Sequence, residues 1–206
     1  MHVVEWAEFS LNPGVSEAEL LTAAAMVQQQ FLQGQDGYLS RQLLSLTAGR
    51  YVDMVVWKSR EAADIAIAGM SGSQVCRTYF SLMRVDSQPL FGTPLLKYGG
   101  GVDCVGGMEF SLFRLRPGVQ EHRLTNAARL MAETLYHGEP GFHTHMLMRR
   151  DENSDLFADV VLADSAEQAR ALCGKWGQGP FHPACMDYLD LIEPESVKLE
   201  FWNRVG

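Results

Sequence analysis

Positive charge is scarce in this chain: 17 lysines and arginines stand against 25 aspartates and glutamates, a formal charge of −8, and no basic run occurs. Phosphate backbones are held by clustered cationic side chains, so no nucleic acid partner is expected. Long hydrophobic runs are missing as well. Without an apolar stretch near the ~18 residues that a membrane helix needs, no membrane partner is expected. The opening segment has Glu5 and Glu8 inside its apolar stretch and no basic flank, unlike a signal peptide, so a cytoplasmic location is the expectation. Cysteine is rare: Cys76, Cys104, Cys173 and Cys185 show no CxxC spacing and read as small buried hydrophobes. GxGxxG, P-loop, GxSxG and HExxH motifs are all absent, which removes the common nucleotide, hydrolase and zinc-protease readings.

What the sequence has is a repeat. A shift of 104 positions lays Glu5 on Glu109, Phe9 on Phe113, Pro13-Gly14-Val15 on Pro117-Gly118-Val119, and Gly37-Tyr38 on Gly141-Phe142. After small offsets, Asp53-Met-Val-Val matches Asp159-Val-Val-Leu, and Cys76-x-x-Tyr79 matches Cys185-x-x-Tyr188. Chance does not keep this order over both halves. Each half reads as a strand ending at a Pro-Gly turn, a helix, a two-stranded hairpin, a second helix, a short helical piece and a closing strand. Ser16-Glu-Ala-Glu19 predicts a capping box on the first helix, and Gln120 leaves the equivalent helix with a weaker cap. Pro89, Gly92 and Pro94 predict that the first copy's closing strand is irregular or at an edge.

The order β-α-β-β-α-β is the ferredoxin-like arrangement. The expected fold class is therefore α+β: tandem ferredoxin-like repeats at 1–98 and 108–206, joined by a Gly-rich linker at 99–107. Their antiparallel sheets bury their uncovered faces against each other to form one α+β barrel. The interrupted strand near Pro89 and Pro94 offers an edge for another copy, so a homo-oligomer is also an expectation.

The segments Glu5-x-x-x-Phe9-x-Leu11-x-Pro13-Gly14, Gly37-Tyr38-Leu39-Ser40-Arg41-Gln42-Leu43 and Asp53-Met-Val-Val-Trp57-Lys-Ser59, with their second copies, resemble the dimeric α+β barrel superfamily, and within it the antibiotic-biosynthesis-monooxygenase-like proteins. Such proteins usually carry one unit per chain and dimerise; here a fused pair would supply both halves. The resemblance implies a small-molecule ligand and covers cofactor-free oxygenases, haem-degrading enzymes and proteins without demonstrated activity. The haem-degrading members place a histidine where this chain has Ile67 and Cys173, and a first-strand asparagine where it has Glu5 or Ala7. No cofactor is therefore implied.

Among chemistry-bearing residues, His143 and His145 stand two apart on a strand and would share a face, as half of a metal site or as a catalytic pair; the alternative is a partly solvated strand face. No complete metal site is readable. Glu5 and Glu109, being pseudo-symmetric, could meet near a barrel interior, where burial would raise their pKa and suit them to proton transfer; alternatively each faces water or pairs with an arginine such as Arg41. Trp57, Tyr79 and Tyr188 are candidates for a substrate pocket, with Trp6 and Phe110 beside them, or are plain core. His182, on a Gly/Pro-rich loop, is a candidate lid residue or third ligand. The expected function is a cofactor-free, monooxygenase-like oxidoreductase acting on a small aromatic or polyketide-like molecule. The alternative is a non-catalytic binding or structural barrel protein.

Overall fold

The computed structural model describes residues 2–47, 49–100, 105–150, 155–174 and 182–206. Ala48 of the first hairpin turn, Cys104, the 151–154 turn and the 177–181 loop segment lie outside them. Nine strands and six α-helices are present among the described residues. They fall into two compact units: residues 1–91 with 205–206, and residues 92–204.

In the first unit, β1 (Val3–Leu11), β2 (Tyr38–Thr47), β3 (Arg50–Trp57) and β4 (Met83–Val85) form an antiparallel sheet in the order β2-β3-β1-β4. Three helices belong to it: α1 (Glu17–Gln30), α2 (Arg60–Met70) and α3 (Gln74–Ser81). Helix α1 opens on the expected capping box, with Ser16 and Glu19 satisfying each other's backbone amides. It buries Leu20, Ala23, Ala24 and Val27, the i, i+3, i+4, i+7 stripe of an amphipathic helix. This stripe packs with Val3, Phe9, Leu43, Tyr51, Val55 and Trp57 of the sheet. The odd-numbered residues of β1 and β3 therefore face the helices, and alternation sends Trp6, Val52 and Met54, also buried, to the opposite face.

The second unit repeats the plan. The sheet order is β9-β6-β8-β7-β5, from β5 (Leu90–Gly99), β6 (Gly107–Arg114), β7 (Phe142–Arg150), β8 (Leu156–Ala163) and β9 (Lys198–Arg204). Helices α4 (Glu121–Met131), α5 (Ala166–Gly174) and α6 (Pro183–Leu189) accompany it. Gln120 makes no side-chain cap on α4, as expected. Phe113, Phe157 and Val161 share one core cluster with Leu124, Ala128 and Tyr188 from the helices, while Met108, Phe110, Met146, Met148 and Val160 are buried on the other sheet face. Strand β5, read from sequence as the first repeat's last strand, pairs with β7, and its register slips between Pro94 and Leu96, because proline has no amide hydrogen for the ladder.

One detail decides the placement of the histidines. Gly37 and Gly141 carry φ of +86° and +75°, a left-handed conformation that a side chain disfavours, and a Cβ on Gly37 would meet the Ala62 Cβ at 2.7 Å. Directly after each glycine the register slips, between Tyr38 and Ser40 in β2 and between Phe142 and Thr144 in β7. His143 is thus the extra residue of a β-bulge, which re-aims a side chain out of simple alternation.

Candidate functional site

In the first unit, the cross-strand register sets Glu5 of β1 and Arg41 of β2 on either side of Val55 in β3, with Asp53 one step along the same face. All three point toward the helices. The Arg41 guanidinium grips the Asp53 carboxylate through Nε at 2.7 Å and Nη2 at 3.0 Å, and its Nη1 donates to the Ala24 carbonyl at 2.8 Å. Tyr79, brought in by α3, donates its hydroxyl hydrogen to Asp53 Oδ2 at 2.8 Å and accepts from Arg41 Nη2 at 2.8 Å. Burial opposes the Arg41 charge, but Asp53 and Tyr79 more than offset it and hold the guanidinium protonated. Burial first, and then the Asp53 charge, push the Tyr79 hydroxyl well above its ordinary pKa, so it stays neutral.

Glu5 stands beside this cluster and is 6% exposed. The Trp57 indole N–H donates to its Oε2 at 2.9 Å. Its pKa is raised to about 6, chiefly by burial and secondarily by Asp53, against the lowering effects of Trp57, Arg60 and Arg41. Glu5, Arg41, Asp53 and Tyr79 all line a cavity of about 180 Å³ between sheet and helices, whose other walls include Val27, Leu32, Val55 and Cys76. Trp57 meets the cavity only through Glu5.

The Tyr79 hydroxyl is shared between two charged groups, and a buried group left without its partner costs about 1–3 kcal/mol. Tyr79→Phe is therefore expected to lower the unfolding free energy by about that amount in urea titrations, with a two-state transition retained.

The second unit holds the pseudo-symmetric set. Glu109 and His145 flank Val161, and Asp159 lies one step along. His145 Nε2 is 2.8 Å from Asp159 Oδ1, and the Tyr188 hydroxyl donates to Asp159 Oδ2. Here an imidazole stands in place of the Arg41 guanidinium. Ala163 stands where the first unit has Trp57, so the indole donor that serves Glu5 has no counterpart. Glu109 is fully buried, and neither carboxyl oxygen finds a partner with hydrogen-bond geometry among the described residues. Burial and then the Asp159 charge push its pKa well up, only partly opposed by Ser111 and the Val161 amide. Tyr136 and Cys173, both buried, occupy the positions of Leu32 and Ile67, which line the first unit's cavity.

Several sequence expectations are corrected by this geometry. His143 and His145 do not share a site: the bulge leaves His143 at the surface, 2.7 Å from Asp164 Oδ1, while His145 is fully buried against Asp159. Among the described residues no three His, Cys, Asp or Glu side chains converge as a metal site would need. Glu5 and Glu109 each face the helices of their own unit. Arg41 pairs with Asp53 instead of Glu5. His182 accepts a hydrogen bond from the Ala184 amide through Nδ1 at 3.2 Å and caps α6. Ile67 and Cys173, at the position of the haem-ligating histidine, supply no imidazole, so the residues present do not fit a haem held there. The Asp53 and Asp159 roles escaped the sequence reading, although both aspartates head matching segments of the repeat.

Among the described residues no helix is long and apolar enough to cross a membrane. No sequence-family profile matches the chain, and no curated protein does. Solved structures do. A provisionally assigned monooxygenase from Lactobacillus acidophilus NCFM superposes with a TM-score of 0.73 at 12% identity, over 98% of this chain and 93% of the other. A chlorite dismutase from Candidatus Nitrospira defluvii gives 0.65 at 8% identity, over 100% and 92%. An uncharacterised ferredoxin-fold protein related to antibiotic biosynthesis monooxygenases, from Listeria monocytogenes 4b F2365, gives 0.58 at 11% identity, over 100% and 96%. At such identities the likeness is one of fold: these structures and this chain share an α+β architecture, built here from two ferredoxin-like repeats in one chain.

Proposed function

We propose that the first unit's cavity is the reaction chamber of a cofactor-independent, monooxygenase-like oxidoreductase acting on a small, hydroxylated aromatic molecule of polyketide-like character. The observation that carries this reading is one carboxyl group, Glu5, with a pKa of about 6, at the polar end of a largely apolar cavity. A general base works best when its pKa lies near the operating pH. The fold likeness to monooxygenase-related structures supports the reaction class.

The size of the chamber bounds the substrate. An apolar cavity of about 150 Å³ takes up benzene, so about 180 Å³ suits a single ring with small substituents. For resorcinol, the Glu5 carboxylate takes a hydroxyl proton. The electron-rich ring carbon para to that oxygen then forms a bond to O₂, which is reduced to a ring-bound peroxide. The ring hydrogen passes to the outer peroxide oxygen as the O–O bond breaks, leaving a ring carbonyl and a hydroxide, and the hydroxide takes the proton back from Glu5 as water. One oxygen atom enters the product and the other becomes water. Arg41, Asp53 and Tyr79 hold the wall rigid, and the apolar walls keep water from the carbanion.

The test is oxidation of resorcinol under ¹⁸O₂. The expected result is a hydroxyquinone carrying one labelled oxygen, formed at a rate that rises with pH through about 6 as Glu5 loses its proton. Ligand uptake without oxygen consumption would assign a carrier role instead.

A further inference from the structure

The cavity described above changes character along its length. Its sheet end carries Glu5, Arg41, Asp53 and Tyr79; its outer end is formed by Ile67 of α2, Phe80 of α3 and Val85 of β4, with Met70 and Pro89 beside them. Not one of these five outer residues is charged. Ile67, Phe80 and Val85 are 37%, 42% and 58% exposed. Single exposed apolar residues are ordinary on a protein surface. Three from separate elements line the same cavity as the buried carboxyl and offer an apolar path into it, with the half-buried Glu8 also on its wall. The path is particular to the first unit: the repeat places Cys173 and Leu189 opposite Ile67 and Phe80, and these are buried and half-buried.

Resting on the proposed chamber, we infer that this mouth is a binding subsite for an apolar arm on the substrate ring, the simplest being an alkyl chain. A ring that brings its hydroxyl to Glu5 turns its opposite edge toward Ile67 and Phe80. The chamber has room for one ring, so a longer substituent on that edge passes between α2, α3 and β4. Water leaves both the arm and the three exposed side chains, and the hydrophobic gain grows with each methylene. The substrate is then an amphiphile that enters polar end first.

The test is calorimetric titration of the full chain with resorcinol and its 5-methyl, 5-propyl and 5-pentyl derivatives. The expected result is that affinity rises about twofold to fourfold with each added methylene. In the triple variant Ile67→Ser, Phe80→Ser, Val85→Ser, the rise along the series disappears, with the fold retained by circular dichroism. Equal affinity along the series in the unaltered chain, or an undiminished rise in the variant, would overturn the arm subsite and leave the chamber standing. Failure of resorcinol to bind at all would overturn the chamber and the subsite together.

Discussion

Replacing Glu5 by glutamine is expected to lower kcat/KM for resorcinol oxidation by about 10² to 10⁴-fold, the usual contribution of a positioned general base. Glutamine keeps the shape and still accepts from the Trp57 indole, so the loss isolates the proton transfer. The same change is expected to stabilise the protein in a pH-dependent way. Glu5 has a pKa of about 6 in the folded chain against 4.5 ordinarily. Between those values the unfolded chain binds fewer protons than the folded one, so stability falls as pH rises from 4.5 to 6. Above pH 6 the full penalty is present, about 2 kcal/mol at 1.36 kcal/mol per pKa step. Glu5→Gln therefore has the same stability as the unaltered chain near pH 4 and is up to about 2 kcal/mol more stable at pH 8. Urea titrations at the two pH values, beside rate measurements, separate this from a general loss of structure: a variant both inactive and less stable at pH 8 would point to packing, not proton transfer.

The second large effect is on stability. Arg41 and Asp53 have side chains 6% and 16% exposed and form a bidentate pair. Removing one member leaves the other charged and poorly solvated, which costs about 3–5 kcal/mol. Arg41→Ala is expected to lose that much, seen as a fall in the urea midpoint with unchanged slope. The paired replacement Arg41→Met with Asp53→Leu is expected to cost less than either single change, because no charge is stranded. A loss below about 1 kcal/mol for Arg41→Ala would mean that the pair behaves as an exposed salt bridge.

Much of the fold was legible because the repeat is a physical constraint as well as a pattern. Pro-Gly turns, Ser16 with Glu19, and the paired glycines at 37 and 141 each demand one local geometry, and all stand where the register places them. The site was less legible. Both faces of β1 are apolar, with Val3, Phe9 and Trp6 all buried, so alternation alone could not say which face Glu5 belongs to. Arg41 lies opposite Val55, and Asp53 opposite Leu43; their contact is diagonal between neighbouring strands, a relation that sequence spacing does not reveal. The two-residue spacing of His143 and His145 promised a shared face, and the bulge at 143 cancelled it. That bulge has a counterpart at Leu39, two residues after the matching glycine, and the shared Gly-aromatic dipeptide was its only trace. Tyr79 and Tyr188, readable from sequence as pocket residues or as plain core, each commit the hydroxyl to an aspartate.

On the proposed function, one chamber, in the first unit, takes the ligand. Titration of resorcinol into the chain and into Ala7→Leu, which adds bulk to the wall of the first cavity, tests it most directly. One ligand per chain is expected, with that binding lost in Ala7→Leu and the fold retained by circular dichroism. Two ligands per chain, or unchanged binding in Ala7→Leu, would contradict it.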